Sequence, residues 1–282
     1  MKRILVPIDF SEESMNALHS AHSLAKETGS EVLLVHVIED ATAQSFNTMG
    51  IVDYSPMDNV YVARLMEKTK ERMDELVNES EYSDILLKYR IEIGHAFEKI
   101  SKVIAEHNSS LIVMGSKGAS GLVNVLVGSV ADKVVRSATC PVITVKGKCD
   151  LNKVKSIVFA TDLRCEQESI IGELKSMQKH YDAHLHLVKA YDSEWILEKD
   201  VKRRIDEFAE QFGFENFSTT AVKDSDQVDA ILDFADEIDA DMIALATHHR
   251  RGLESLFTGF ISKNVVNKSN KPIWTMAIPE GN

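Results

Sequence analysis

The chain has 282 residues, of which 44% are hydrophobic and 27% are charged, and it contains only 5 prolines. This composition is typical of a folded globular protein and excludes disordered and collagen-like chains. At roughly 150 residues per domain, the length predicts about two domains. Acidic residues outnumber basic residues 44 to 32, which gives a formal net charge of -12. Such a negative field disfavours nucleic acids and anionic lipid surfaces as partners.

The cysteines and the apolar runs indicate where the protein resides. Cys140, Cys149 and Cys165 have no metal-ligand spacing, and so few cysteines favour a reducing compartment over a disulfide scaffold. The apolar start of the chain is interrupted by Asp9 before a signal-peptide core can form. No run approaches the roughly 18 apolar residues of a membrane span. We therefore expect a cytoplasmic protein without a membrane partner.

The sequence repeats itself. Ile4–Phe10 matches Ile157–Leu163 at an offset of 153, and Cys140–Thr144 matches Lys271–Thr275 at an offset of 131. These matches predict two copies of one domain, at 1–147 and 153–282, joined by a short polar linker. The two offsets differ by 22 residues, so the first copy carries an additional segment. We place that segment at Glu39–Asp58 and predict a mobile loop near the ligand pocket, in which Tyr54 and Met57 could close over the ligand.

Apolar β-branched runs alternate with helical patterns along each copy. In the first copy, the predicted strands and helices alternate in the order Arg3–Val6, Glu12–Thr28, Val32–Val37, Asp58–Asn78, Leu86–Ile93, Ala96–His107, Leu111–Met114, Ser129–Ser137 and Val142–Val145. This order predicts an α/β fold with two doubly wound domains, each a five-stranded parallel sheet with helices on both faces. An apolar sheet edge is stable only when it is paired. We therefore expect the fifth strands, Val142–Val145 and Ile273–Ala277, to lie side by side in a pseudo-dimer.

The most informative stretch follows the fourth predicted strand. Its spacing is Gly115-x2-Gly118-x9-Gly128, followed directly by Ser129. Glycine lets the backbone approach a ligand closely. The helix that begins after Gly128 presents unpaired N–H groups, equivalent to roughly half a positive charge, that suit a phosphate. One glycine would only shape a turn, but three at this spacing after a buried strand favour a phosphate site.

With these motifs the sequence resembles a tandem universal stress protein, and the resemblance covers essentially the whole chain. It rests on the glycine spacing, on Pro7–Asp9 at the end of the first strand, on His36–Val37 at the end of the second, and on Cys140–Val142 before the fifth. The resemblance implies ATP binding through the glycine spacing. Neither a Walker A pattern nor GxGxxG occurs, so P-loop and Rossmann interpretations lose support.

The resemblance also implies a role for each matching residue. Asp9, two residues after Pro7, would face the adenosine part of the nucleotide, and the Val37 backbone would contact the adenine edge. Gly115 would lie by the ribose, with Met114 flanking the same pocket. The phosphates would be surrounded by Gly118, Gly128, Ser129 and the amide of Val130.

Two residues of this region have simpler interpretations as well. Asp9 would equally well cap the helix that begins near Ser11. Lys117 could reach a phosphate, but a lysine on an exposed loop is more often only solvated.

The histidines His180, His184 and His186 suggest zinc, yet no cysteine or carboxylate completes a ligand set, so we expect no metal site.

The second copy departs from the glycine pattern. At an offset of 131, Ala246, His249 and Phe260 replace Gly115, Gly118 and Ser129, whereas Gly259 matches Gly128. Bulky side chains would fill the space that a phosphate needs, so we expect one competent site per chain, in the first copy. The basic run 248–251 could form a different anion site, although a solvated loop is the simpler interpretation.

The leading hypothesis is a regulatory protein that binds an adenine nucleotide and couples its occupancy to stress survival. ATP, ADP and AMP remain open, as does a Mg²⁺ companion. The alternatives are a slow ATPase or nucleotide-dependent enzyme, and a nucleotide-free scaffold. Neither an HxGH nor an SGGxDS motif occurs, so chemistry beyond slow hydrolysis lacks support. The downstream protein partner and any further homodimer are not identified by the sequence.

Overall fold

A computed structural model describes residues 3–39, 56–117, 128–163, 168–248 and 263–278. The first half consists of β1 (Arg3–Pro7), α1 (Glu12–Thr28), β2 (Glu31–Ile38), α2 (Pro56–Val77), β3 (Leu86–Ile93), α3 (Ala96–His107), β4 (Leu111–Gly115), α4 (Ser129–Ser137) and β5 (Val142–Val145). The second half consists of β6 (Ser156–Ala160), α5 (Glu168–Tyr181), β7 (His184–Tyr191), α6 (Glu198–Phe212), β8 (Phe217–Lys223), α7 (Gln227–Glu237), β9 (Met242–His248) and β10 (Ile273–Ile278). Residues 263–268 are also helical.

The ten strands found in the described ranges form one sheet, in the order β3-β2-β1-β4-β5-β10-β9-β6-β7-β8. Pairing is parallel within each half, whereas β5 and β10 pair antiparallel, with Ile143 opposite Trp274. The predicted fold class and the predicted pairing of the fifth strands are therefore confirmed. Antiparallel neighbours in one sheet are related by a pseudo-twofold axis normal to the sheet, so equivalent helices of the two halves lie on the same face.

Helices cover both faces of the sheet, as near-continuous apolar strands require. One buried cluster contains Leu18 of α1, Met73 of α2, Leu174 of α5 and Ile205 of α6. The other contains Ile100, Val134, Ile231 and Val265, from α3, α4, α7 and helix 263–268. None of the helices in the described ranges combines the length and the apolar character needed to cross a lipid bilayer.

Local sequence signals account for the bounds of α1. The Ser11 side chain caps its first turn by accepting a hydrogen bond from the Ser14 amide. Glu12 and Glu13 place negative charge at the positive end of the helix dipole. Gly29, with φ of 65°, ends the helix in the left-handed conformation that glycine adopts without strain. The observed helix begins and ends where the sequence predicts.

The strands reproduce both offsets of the repeat, but the additional residues of the first half are distributed differently from the prediction. Helix α2 begins at Pro56, inside the segment predicted to be a loop, and has 22 residues where α6 has 15. Part of the additional length therefore belongs to the helix. Residues 40–55, including Tyr54, and the side chain of Met57 lie outside the described residues, so the predicted mobility of this segment stays a prediction.

The connection between the halves is more than a polar linker. Leu151 is completely buried within the cluster that contains α1, and Cys149 is partly buried against it. The Cys149 thiol lies 3.2 Å from the Ser20 hydroxyl. The Asn152 side-chain amide donates a 2.7 Å hydrogen bond to the Ser23 carbonyl. The linker is therefore a packed part of the α1 face.

A candidate ligand cavity at the strand switch point

A cavity of about 260 Å³ opens at the carboxyl ends of β1, β2 and β4, and is walled by the first residues of α3 and α4. Strand order reverses between β1 and β4, because β2 lies on one side of β1 and β4 on the other. Ligands of doubly wound sheets bind at such a switch point. The cavity is lined by Pro7, Ile8, Asp9, Ser14, Val35, Val37, Glu39, Ala96, Met114, Gly115, Lys117, Gly128, Ser129, Val130 and Ala131.

This lining includes eight of the nine site residues proposed from the sequence. The ninth, Gly118, lies outside the described residues. Sequence reasoning missed Ile8, Ser14, Val35, Glu39, Ala96 and Ala131. Val35 could have been found because it shares a strand face with Val37, two residues further on, and Ile8 and Ala131 because each adjoins a proposed residue in the chain. No signal distinguished the other three, which reach the cavity only through the packing of their helices and strands.

The backbone of Val37 is available at the cavity wall. The last ladder hydrogen bond between β1 and β2 joins the Ile8 amide to the Val35 carbonyl, at 2.9 Å. Backbone groups of alternate residues point to the same side of a strand, so those of Val37 also face β1. In a continued ladder the Val37 amide would donate to the Ile8 carbonyl, but this carbonyl accepts a hydrogen bond from the His36 ring. Among the described residues, the Val37 backbone therefore has no ladder partner on this side. This arrangement leaves one donor and one acceptor for a ligand edge.

The N-terminus of α4 faces the cavity without a side-chain cap. Gly128 occupies the N-cap position and has no side chain that could accept hydrogen bonds from the amides of the first turn. The Gly128 amide donates a 2.8 Å hydrogen bond to the carbonyl of Ser116, the residue that follows β4. The end of β4 and the start of α4 therefore lie side by side at the cavity. The following N–H groups have no intrahelical acceptor. With φ of -64°, Gly128 needs no left-handed conformation, so backbone strain does not explain the glycine at this position.

Gly115 has a packing role that the sequence interpretation did not include. A Cβ atom at this position would lie 2.9 Å from the backbone carbonyl carbon and oxygen of Glu13. The absence of a side chain therefore lets the first turn of α1 pack directly on the end of β4. Gly115 does line the cavity, but its lack of a side chain is explained first by this contact between helix and strand.

The Asp9 carboxylate organises the start of α1. Its Oδ1 atom accepts hydrogen bonds from the amide and the hydroxyl of Ser11, at 3.0 and 2.6 Å. Ser11 is the N-cap residue, so Asp9 orients the cap instead of capping the helix itself. Phe10, between them, has a positive φ of 63°. Asp9 is thus held at the cavity by the turn that begins α1.

A second group of side chains supports this turn from the opposite face of the sheet. The Nδ1 atom of His36 lies 2.8 Å from the Ile8 carbonyl oxygen, and because a carbonyl only accepts, Nδ1 carries the proton. The Phe10 ring contacts both the His36 ring, with their centroids 5.1 Å apart, and the Arg72 guanidinium, 3.9 Å from the Phe10 centroid. Burial lowers the pKa of His36, with a smaller contribution from Arg72, and favours the neutral ring.

The charges around the cavity are separated. Asp9 and Glu39 provide carboxylates on the side formed by β1 and β2. Lys117 and the positive end of α4 lie on the side formed by β4. A matching ligand would carry hydrogen-bond donors at one end and negative charge at the other.

The histidines of the second half form hydrogen bonds with neutral side chains. His184 contacts Asn216 and Ser218, and the Ser218 hydroxyl also lies 2.9 Å from Nδ1 of His186. Within the part of the chain that the structure describes, no group of three or more His, Cys, Asp or Glu side chains is placed to hold a metal ion.

The switch point of the second half has different residues at the positions equivalent to the cavity lining of the first. At the offsets of the repeat, Ala160, Ala190 and Ala246 take the positions of Pro7, Val37 and Gly115, and Asp162 takes that of Asp9. Leu163 repeats the positive φ of Phe10, at 65°. His249, Gly259 and Phe260 lie outside the described residues, so the expected loss of the phosphate site in this half stays a prediction.

The fold and the cavity define a tandem, doubly wound α/β protein with a ligand site at the switch point of its first half. The universal stress protein family profile matches residues 1–146 and 153–276. The chain belongs to the universal stress protein family, with two domains of that family in tandem.

Individual relatives agree with this assignment. Universal stress protein YxiE of Bacillus subtilis is 35% identical over 147 residues, which are 51% of this chain and 98% of that protein. Universal stress protein MJ0577 of Methanocaldococcus jannaschii is 29% identical over 155 residues, 52% of this chain and 96% of that protein. A solved universal stress protein from Archaeoglobus fulgidus has the same fold throughout, with a TM-score of 0.76 at 22% identity, covering 98% of both chains.

Proposed function

We propose that this protein is a cytoplasmic stress-response regulator that binds one adenine nucleotide per chain, in the cavity of its first half. ATP is the first candidate, and ADP and AMP are the alternatives. The observation that carries the proposal is the convergence of eight separately proposed residues, from three strands and a helix, on one cavity. Membership of the universal stress protein family agrees with it.

The two ends of the cavity suit the two ends of a nucleotide. The unpaired Val37 backbone would bind the adenine edge, and the carboxylates of Asp9 and Glu39 would accept hydrogen bonds from the adenosine part. The uncapped N–H groups of Ser129 and Val130 and the Lys117 ammonium would bind the phosphates. Mg²⁺ would be held mainly by those phosphates, and the Ser129 hydroxyl would be available as a further oxygen ligand.

The same arrangement favours retention of the nucleotide over its hydrolysis. The carboxylates that line the described part of the cavity, Asp9 and Glu39, follow β1 and β2, whereas the proposed phosphate site lies at the start of α4. Asp9 also accepts hydrogen bonds from Ser11. A general base must come within hydrogen-bond reach of the attacking water, and neither carboxylate belongs to the elements that form the proposed phosphate site. We therefore expect slow hydrolysis at most.

Mass spectrometry of the freshly purified and then denatured protein tests the proposal, followed by a turnover assay with excess ATP. We expect about one adenine nucleotide per chain and negligible product. Rapid turnover would favour the enzyme hypothesis. Absence of any resident nucleotide, together with no heat of binding in calorimetric titration, would favour a scaffold and refute the proposal.

A further inference from the structure

Charged residues follow the strand ends of the first half in a regular order. Along the sheet order β2-β1-β4-β5, the residues just beyond the carboxyl ends include Glu39, Asp9, Lys117 and Lys146, one for each strand. The charge therefore changes from negative to positive along this edge of the sheet. The first three residues line the switch-point cavity, whereas Lys146 follows the next strand and is not part of that lining.

The Lys146 ammonium connects the first half to the second. Its Nζ atom donates a 2.6 Å hydrogen bond to the carbonyl oxygen of Asn267, in the last turn of helix 263–268. The last carbonyls of a helix have no intrahelical donor and form the negative end of the helix dipole, so they favour a cation. The Asn16 side chain of α1 donates to the Lys146 carbonyl at 3.3 Å. The backbone of Lys146 is therefore held by the first half while its side chain reaches the second.

This ammonium is partly buried without an acidic partner. Within the described ranges, no Asp or Glu side chain forms an ion pair with Lys146. Burial lowers the pKa of Lys146, and the nearby Lys117 ammonium lowers it further. Two cations that lie near each other repel, and an anion placed between them removes that repulsion. The pair therefore favours a ligand with several negative charges.

The start of α4 lies within reach of the Lys146 side chain. Gly115 pairs with Val145 in the ladder between β4 and β5, so Ser116 and Lys146 are the next neighbours. The Ser116 carbonyl accepts the hydrogen bond of the Gly128 amide. Neighbouring strands lie about 4.8 Å apart, a distance that the four-carbon stem of a lysine can span. Helix 263–268 and α4 also cover the same face of the sheet, so the ammonium can turn from one helix end to the other.

The second half has no equivalent of this lysine. At the offset of 131, Ala277 takes the position of Lys146. The reciprocal contact between the halves uses a neutral group, because the Thr247 hydroxyl donates to the Val135 carbonyl of α4 at 3.3 Å. Both residues are buried, and a threonine has no long stem that could turn to a ligand. The exchangeable contact is therefore a property of the strand ends of the first half.

We infer that Lys146 distinguishes nucleotide di- and triphosphates from AMP and links that difference to the second half. The inference rests on the proposed nucleotide site. With adenosine at β2 and β1 and phosphates at β4, the distal phosphates lie nearest β5. In the free protein and with AMP, the Lys146 ammonium stays on the Asn267 carbonyl. With ADP or ATP it turns to the distal phosphates, and the end of helix 263–268 loses this hydrogen bond.

Calorimetric titration of AMP and ATP, without Mg²⁺ and after removal of resident nucleotide, tests the effect on binding. Lys146→Met keeps an unbranched side chain but removes its charge. It should weaken ATP binding about tenfold, as the loss of one charge-assisted hydrogen bond implies, and AMP binding by less than about twofold. Lys148→Met, at an exposed lysine two residues further on, is the matched control and should change neither. Lys146→Arg keeps the charge and should retain the preference for ATP.

Hydrogen exchange measured by mass spectrometry tests the link to the second half. In the parent, ATP should speed exchange of the amides of residues 263–269 by up to about tenfold, because the helix end loses a charge-assisted hydrogen bond. AMP should leave this exchange unchanged. Lys146→Met should show the faster exchange without any nucleotide and no further change with ATP. Lys148→Met should behave like the parent.

The outcomes separate this inference from the proposed function. AMP binding by Lys146→Met with the affinity of the parent would show that the variant is folded and that the nucleotide site exists. An unchanged ratio of ATP to AMP affinity in that variant, or equal effects of ATP and AMP on exchange at 263–269 in the parent, would overturn the inference and leave the nucleotide site standing. A parent that binds neither nucleotide would refute both.

Discussion

Each half brings the carboxyl ends of its strands together at a switch point, but the residues around the two switch points differ. In the first half the point is bounded by Pro7, Val37 and Gly115, and in the second by Ala160, Ala190 and Ala246. The pairing of strands and the positive φ after each aspartate are the same in both halves. The fold therefore does not require Pro7 or Val37, which agrees with a role for these two residues at a ligand cavity, whereas Gly115 also serves the packing of α1 on β4.

The packing of the linker on α1 gives a second point of comparison. Leu151 is fully buried there. Leu151→Ala should therefore lower the free energy of unfolding by about 2–5 kcal/mol, the usual cost of a cavity left by a buried leucine. Leu197→Ala, at a residue that is 56% exposed, should change it by less than about 0.5 kcal/mol. Urea denaturation measures both, and equal effects would refute the packing role of the linker.

The contact between Gly115 and Glu13 predicts a smaller effect that couples stability to the site. Gly115→Ala places a Cβ against the Glu13 backbone and should destabilise the protein by about 1–3 kcal/mol. Because it displaces the turn that holds Asp9, it should also weaken nucleotide binding. Gly172→Ala is the control, since nothing lies within 4 Å of its Cβ position in α5, and it should stabilise by about 0.5–1 kcal/mol. Stabilisation by both changes would contradict this account.

The smallest expected effect concerns pH. His36 in the first half is replaced by Lys189 in the second. Burial lowers the pKa of His36 below its unfolded value of about 6.5, so between the two values the unfolded chain binds more protons. Stability should therefore fall as pH drops below about 6.5, by at most about 1.4 kcal/mol per pH unit for this one group.

His36→Asn tests this dependence on pH. Its side-chain amide can still donate to the Ile8 carbonyl but does not titrate. Urea unfolding between pH 5 and about 7.5 should show a shallower slope for the variant than for the parent. The contribution of His186, whose pKa burial also lowers, is common to both proteins and cancels in the comparison. Identical slopes would show that His36 does not titrate as proposed.

Much of the fold could be predicted from the sequence because strand and helix signals are local. The bounds of α1, α3, α4, β3 and β5 agree with the patterns that predict them. The predicted start of α2, at Asp58, was two residues late because the prediction relied on apolar periodicity and did not use Pro56, a residue type favoured at the first position of a helix. The burial of Leu151 depends on how the linker packs on α1, and no local pattern carries that information.

Some residues of the candidate site could likewise be predicted from a sequence motif, and others could be identified only from the structure. The residues of the glycine spacing and the strand ends could be identified because a motif marks them. Ser14, Glu39 and Ala96 reach the cavity through tertiary packing and belong to no motif. The contact of Gly115 with Glu13 likewise joins residues that are distant in sequence. The close packing of α1 on the end of β4 that this contact permits could be found only in the structure.

The most direct test of the difference between the halves is calorimetric titration of ATP into a matched pair of variants, after removal of resident nucleotide. Gly128 and Gly259 are equivalent at the offset of 131. The backbone of Gly128 suits any residue, so Gly128→Val should fold, yet its side chain would cover the N–H groups at the start of α4. We predict one site per parent chain, binding abolished by Gly128→Val and unchanged by Gly259→Val. Two equivalent sites in the parent, or unimpaired binding by Gly128→Val, would contradict the account.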